Sequence, residues 1–145
     1  MLLVPEEVDF KISTTELEAT YTESDGVRIQ LTAQKIMDIK NRNYRLLELR
    51  FDTVAEMKCI SLNFFETHWD SITIEPKVEN WFSFWEARGF NPEPNIYQRL
   101  DADLLTEEKR KYDSRDRLNL KHYLIIGNDS YIEVVASGYE FEFID

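Results

Sequence analysis

Two histidines and one aspartate have the spacing of a mononuclear iron site. His68 and Asp70 are separated by one residue, so a strand would place both side chains on one face, and His122 follows far along the chain. This is the ligand set of the facial triad that holds non-haem Fe(II). Oxygenases of this type that use 2-oxoglutarate also need a cation after the distal histidine, and no Lys or Arg follows His122. We therefore predict no metal and no cofactor, and interpret His122 as a packing residue beside Tyr123.

A second candidate site is a group of aromatic residues in the middle of the chain. Trp81, Trp85, Phe90 and Tyr97 lie within a short stretch, and aromatic side chains line pockets because they bury a large area at small entropic cost. If a helix carrying these tryptophans covers one end of a curled sheet, the group would face the mouth of a cavity. In the alternative interpretation the rings are part of the hydrophobic core.

The third candidate is a set of carboxylates at the C-terminus. Glu140 and Glu142 alternate with Phe141 and Phe143, so they are expected to face solvent, and Asp145 follows them. Complementary charge accelerates association with a cationic surface. The pattern predicts that Glu140, Glu142 and Asp145 contact a basic protein partner.

The overall composition agrees with a partner of that charge. The formal net charge is −11 over 145 residues and the pI is about 4.7. Nucleic-acid binding needs cations that displace counterions from phosphate, and anionic membranes attract basic segments, so both partners are excluded by sign. There is no phosphate-binding loop, nucleophile elbow or paired-cysteine zinc motif. We therefore do not predict an enzyme.

Cysteine content and hydropathy predict a cytoplasmic location. Cys59 is the single cysteine, so an intramolecular disulfide is impossible. The apolar residues 1–4 have neither the basic flank nor the length of a signal peptide. No apolar run approaches the roughly 18 residues of a membrane span. With little Gly or Pro and no repeat, we expect residues 1–145 to form one domain.

Alternation of apolar and polar residues indicates that strands position these candidates. Val27, Ile29 and Leu31 alternate with polar residues, after a turn at 24–26. Turns are likewise expected at 127–130 and 137–138, and a short connection between the strands near 51 and 60. The predicted strands are 8–12, 17–21, 27–33, 47–51, 60–64, 71–74, 122–126, 131–136 and 139–143. Because 122–126 is apolar on both faces, it is expected to be a central strand.

The sequence also predicts one or two short helices. Val78, Trp81, Phe82 and Trp85 fall at i, i+3, i+4 and i+7, which predicts a helix over about 77–88 that ends at Gly89. The alternative is a strand at 81–85. The charge-rich segment 102–112 predicts a second, short surface helix. The fold class is therefore mainly β, at the margin of α+β: an antiparallel meander forming a curled sheet, a barrel or a two-sheet sandwich.

The segment 121–136 resembles the closing hairpin of small uncharacterised acidic proteins from Gram-positive bacteria. The Gly89-Phe90-Asn91-Pro92 sequence with Tyr97 adds to the resemblance. Some proteins of this kind are immunity partners of secreted toxins, so the resemblance implies a bacterial protein that binds another protein. We hypothesise a non-enzymatic inhibitor or immunity protein with a basic partner. The alternative is a small-ligand-binding β-barrel or sandwich with the aromatic-lined pocket.

Overall fold

The structure is a computed structural model that describes residues 1–61, 72–100 and 111–144. These residues form nine strands and two helices. The strands are β1 (Leu2–Pro5), β2 (Lys11–Ile12), β3 (Glu18–Thr22), β4 (Gly26–Gln34), β5 (Arg45–Ser61), β6 (Thr73–Ile74), β7 (Ile96–Arg99), β8 (Lys121–Ile126) and β9 (Ser130–Phe143). The helices are α1 (Ile36–Asn41) and α2 (Trp81–Arg88).

All nine strands belong to one strongly curled, open sheet that forms a half-barrel. Its order is β2-β4-β5-β9-β8-β7-β1-β6, and β3 also pairs with β4. The pairings are antiparallel except that of β1 with β6. The end strand β2 lies next to the residues that precede β7, because Ile12 donates its N–H to the Pro94 carbonyl at 2.9 Å and accepts from the Asn95 side chain at 2.9 Å. The predicted mainly β class with a curled sheet is confirmed.

The main core fills the concave face of the sheet. Alternate residues of neighbouring strands meet there, as in the row of Ile29, Leu49 and Phe141 across β4, β5 and β9. Ile29 and Leu49 are fully buried, and Phe10 covers the row with its ring centroid 5.0 Å from that of Phe141. This burial explains why period-two alternation is so regular in these strands.

A smaller apolar cluster lies on the opposite face of β8. Leu124 packs there with Leu3, Tyr97 and Tyr131, whereas its neighbour Ile125 belongs to the main core. The strand lies between β7 and β9. The prediction of a central strand at 122–126 is therefore confirmed, and burial on both faces is the reason that it is apolar on both.

Two long strands replace connections that the sequence predicted. The connection between the strands near 51 and 60 is itself part of β5, and residues 137–138 lie inside β9 instead of forming a turn. The register between the two strands shifts between Val54 and Glu56. Inward-facing residues of β9 are even-numbered up to Ala136 and odd-numbered from Tyr139. Across this change of face β9 stays in register with β5, where Asp52 pairs with Gly138 and Val54 with Ala136, so the chain continues without reversing.

The helix at the tryptophans is confirmed, and the alternative strand at 81–85 is wrong. It begins at Trp81, not 77, because Asn80 caps it by accepting the Ser83 N–H at 3.0 Å. It ends at Gly89, whose φ of 80° is left-handed. Helix α1 was not predicted; six residues are too few to show periodicity. Residues 102–110 of the second predicted helix lie outside the described residues, and Lys111 and Tyr112 have helical geometry.

Candidate functional site

The C-terminal half of β9 carries two of the three predicted contact residues. Glu140 and Glu142 are exposed on the outer face of the sheet, and Asp145 lies outside the described residues. Glu142 pairs with Arg50 on β5 at 3.2 Å. Glu140 stands opposite Arg50 in the register but has no ion pair with it or with any other described residue. Of these two carboxylates, Glu140 is thus the more available to a partner.

This half of β9 is also an open edge of the sheet. β8 pairs with β9 only as far as Ala136, where Lys121 begins β8. From Tyr139 to Phe143, β9 pairs with β5 on one side and with no described strand on the other. An unpaired edge presents a row of free N–H and C=O groups, which is a template for an additional strand.

A cleft of about 630 Å³ lies beside the open edge. Its walls come from β9, from the start of β8 and from the segment between β1 and β2. The charged residues that line the cleft are three carboxylates and two cations: Glu6, Glu7 and Glu140, and Arg50 and Lys121. Because Arg50 already pairs with Glu142, the cleft as a whole favours a cationic guest.

Glu6 and Tyr139 face each other at the inner wall of the cleft. Burial raises the pKa of the Glu6 carboxyl above its ordinary value, and the Tyr139 hydroxyl and the charge of Lys121 partly offset this. Burial and the nearby Glu6 carboxylate also raise the pKa of Tyr139. The ring of Tyr123 lies 5.3 Å from that of Tyr139, and burial raises its pKa to about 12. Both phenols therefore stay neutral at physiological pH and serve as hydrogen-bonding groups.

The four aromatic residues predicted to line a pocket occupy different environments. Trp81 is 37% exposed, with Lys11 Nζ 5.4 Å from its ring centroid. Trp85 is buried, contacts Trp81 with 6.3 Å between centroids, and donates its indole N–H to Asp9 at 2.7 Å. Phe90 stacks edge-on against Phe84. Tyr97 belongs to the small cluster with Leu3, Leu124 and Tyr131, and burial raises its pKa. The pocket formed by all four stays a prediction.

The structure places His122 in a buried polar cluster on the outer face of β8. His122 is 4% exposed, and its Nε2 lies 3.8 Å from Glu133 Oε1 on β9. Among the described residues, neither ring nitrogen has a partner within 3.5 Å at hydrogen-bond geometry. The other proposed iron ligands, His68 and Asp70, lie outside the described residues. Within ranges 1–61, 72–100 and 111–144, no three His, Cys, Asp or Glu side chains are grouped as metal ligands would be.

Two parts of these sites were not predicted from the sequence. Glu6 and Glu7 were given no predicted role, because they lie far in sequence from the β9 residues with which they line the cleft. Glu133 was assigned to a strand with no role, although an acidic residue inside an apolar run is a detectable anomaly. In both cases the missing information is which distant strands are neighbours.

Comparison with known proteins gives no relative from which a function could be transferred: no protein-family model, curated protein or solved structure matches the chain. No helix in the described ranges is long and apolar enough to cross a bilayer. The geometry itself offers an acidic cleft along an edge of β9 that no described strand pairs with, walled by neutral phenols and exposed carboxylates. Such an arrangement can bind a polypeptide with positive charge.

Proposed function

We propose that this protein is a non-enzymatic interaction protein that binds a basic partner protein, as an inhibitor or immunity protein does. The observation that carries the proposal is the open edge of β9 beside a cleft lined by Glu6, Glu7 and Glu140. The binding face includes Glu140 and Glu142, and the proposal extends it to Asp145. The resemblance of segment 121–136 to acidic proteins of Gram-positive bacteria supports the same role.

The acidic charge of the protein supports the proposal both at long range, during association, and at contact. The net charge of −11 attracts a cationic protein over distances comparable to the Debye length, which raises the association rate. At contact, Glu140 and Glu7 are exposed and can form ion pairs at the rim of the cleft. Rim charges of this kind act mainly on the association rate and its salt dependence.

The test is a pull-down from the native host with the purified protein as bait, at about 50 mM and about 500 mM salt. We expect a basic protein to be retained at the lower concentration and lost at the higher. The double variant Glu7→Lys/Glu140→Lys should slow association with that protein by at least about tenfold.

The matched control is Glu23→Lys/Glu86→Lys, which changes the net charge equally at two exposed residues that do not line the cleft. Association should be slowed much less in the control, since only the long-range field is altered. Absence of any salt-sensitive basic partner, or equal effects of the two double variants, would contradict the proposal.

A further inference from the structure

The backbone N–H and C=O groups of successive β9 residues point alternately to β5 and to the open edge. Ile144 donates its N–H to the Leu46 carbonyl on β5 at 3.0 Å. In an antiparallel strand the N–H and C=O of one residue face the same neighbour, and successive residues face opposite sides. Even-numbered residues of this segment therefore direct their backbone groups to β5. The odd-numbered residues Tyr139, Phe141 and Phe143 direct theirs to the open edge.

The side chains alternate in the perpendicular direction. Glu140 and Glu142 are exposed on the outer face. Phe141 and Phe143 point to the concave face, where both contact the ring of Phe10. Phe141 is nevertheless 44% exposed, so part of its ring is uncovered beside the open edge. An added strand would cover this apolar surface and satisfy the free backbone groups together.

We propose that the partner binds through an extended segment that adds as a strand to the open edge of β9 at 139–143. The inference rests on the function proposed above and specifies its contact. In an added strand, residues opposite Glu140 and Glu142 point outward and residues opposite Phe141 point inward. The segment that fits therefore alternates basic and apolar residues, with the basic side chains on the outer face.

A second copy of this chain fits the same edge poorly. If two β9 edges paired antiparallel about Phe141, Glu140 of each copy would stand opposite Glu142 of the other. Like charges directly opposite each other destabilise a strand pair. Exposed charges on an edge strand are a common means by which proteins avoid such self-pairing. The charges thus select against self-association and in favour of a cationic segment.

The test uses amide hydrogen exchange of the full chain, followed by NMR, with a synthetic peptide of about eight alternating lysine and valine residues. In the free protein the amides of Tyr139, Phe141 and Phe143 should exchange fast, and those of Glu140 and Glu142 slowly. With peptide bound, the three odd-numbered amides should slow by at least about tenfold, and the even-numbered ones should change little.

Two further peptides separate strand addition from simple charge attraction. N-methylation of every second residue removes the backbone donors on one side of the peptide only, and it can be placed on the lysines or on the valines. One of the two methylated peptides should bind at least about tenfold more weakly than the other, because only one set of amides faces β9. Equal affinity of the two would overturn the inference.

The other outcomes are equally decisive. Binding of the lysine–valine peptide without slower exchange at Tyr139, Phe141 and Phe143 would overturn strand addition and leave the basic-partner proposal standing. Failure of the peptide to bind, or slow exchange of these amides through dimerisation of the free protein, would also overturn it. A native partner that binds regardless of salt would instead contradict the proposed function.

Discussion

The Arg99 guanidinium on β7 lies 3.3 Å from the Glu133 carboxylate on β9, so this ion pair bridges the intervening strand β8. The imidazole of His122 on β8 lies beside the same carboxylate. Glu133 and His122 are buried, and the Arg99 side chain is 19% exposed. Because the three residues come from three neighbouring strands, the cluster couples the charge state of Glu133 to the stability of the sheet.

We expect Glu133→Gln to lower the free energy of unfolding by about 1–3 kcal/mol at pH 7, because it removes the carboxylate charge that pairs with the Arg99 guanidinium in a mostly buried site. Burial by itself raises the pKa of Glu133, but the His122 ring, Arg99 and Lys58 outweigh it and hold the pKa below its ordinary value. Urea unfolding followed by circular dichroism measures the change. The exposed Glu16→Gln is the control and should change little.

The pH dependence of that effect has a definite sign. A carboxyl with a depressed pKa stabilises the fold at pH values above the ordinary glutamate pKa of about 4.3. This contribution is lost as the pH falls through the lower pKa of the folded state. The difference between wild type and Glu133→Gln should therefore shrink progressively below about pH 4. A difference that stays constant down to pH 2 would contradict the assignment.

Glu6→Gln is predicted to act in the opposite direction. The pKa of Glu6 is raised, chiefly by burial, so ionisation of this group opposes folding as the pH rises above about 4.3. The variant should increase the free energy of unfolding at pH 7 by up to about 1 kcal/mol, and the gain should vanish below about pH 4. The exposed neighbour Glu7→Gln should have a smaller effect. A destabilised Glu6→Gln protein at pH 7 would refute this account.

Three glycines should differ in their tolerance of alanine. Gly26 has a φ of 71°, and a Cβ there would lie 2.7 Å from the Phe51 carbonyl oxygen, so Gly26→Ala should destabilise by about 2–4 kcal/mol. Gly89 has a φ of 80° but open space, so strain alone should amount to about 1 kcal/mol. Gly138 has neither restriction, and Gly138→Ala should lie within about 0.5 kcal/mol of wild type. Thermal unfolding would reveal any other ranking.

The two tryptophans in contact on α2 should also differ. Trp85 is 1% exposed and its N–H bonds to Asp9, so Trp85→Phe should destabilise by about 2–3 kcal/mol through lost volume and a lost hydrogen bond. Trp81→Phe, at 37% exposure, should change stability by less than about 0.5 kcal/mol. Asp9→Ala should reproduce part of the Trp85 effect. Denaturant unfolding monitored by circular dichroism compares all three, and equal losses at both tryptophans would be inconsistent with this packing.

The course of β9 illustrates how far alternation can be read without a structure. Apolar residues at 132, 134 and 136 and then at 139, 141 and 143 indicate a break between two regular stretches, and the break is real. Its nature was predicted wrongly as a turn, because Ser137-Gly138 has the composition of a turn. A change of face within one strand and a turn between two strands leave the same pattern in the sequence, and only the continuous pairing of β9 with β5 distinguishes them.

The candidate site likewise has features that the sequence predicts and features that it does not. Exposure of Glu140 and Glu142 follows from alternation with Phe141 and Phe143, and was predicted. The open edge of β9 cannot be predicted from this alternation. It exists because β8 begins at Lys121, which pairs with Ala136, so that β8 does not extend along the rest of β9. The approach of Glu6 to Tyr139 likewise depends on pairings among strands that are distant in sequence.

The sequence by itself determined the class of the fold, the faces of most strands, the helix that ends at Gly89 and the acidity of the surface. These properties depend on residues within a few positions of one another, where periodicity and turn chemistry act. Only the tertiary structure decided which strands are neighbours, and with them the open edge of β9, its cleft and the Arg99–Glu133 bridge. Strand pairing is a long-range choice: many orders bury the same apolar faces, so it is selected by the packing of the whole sheet.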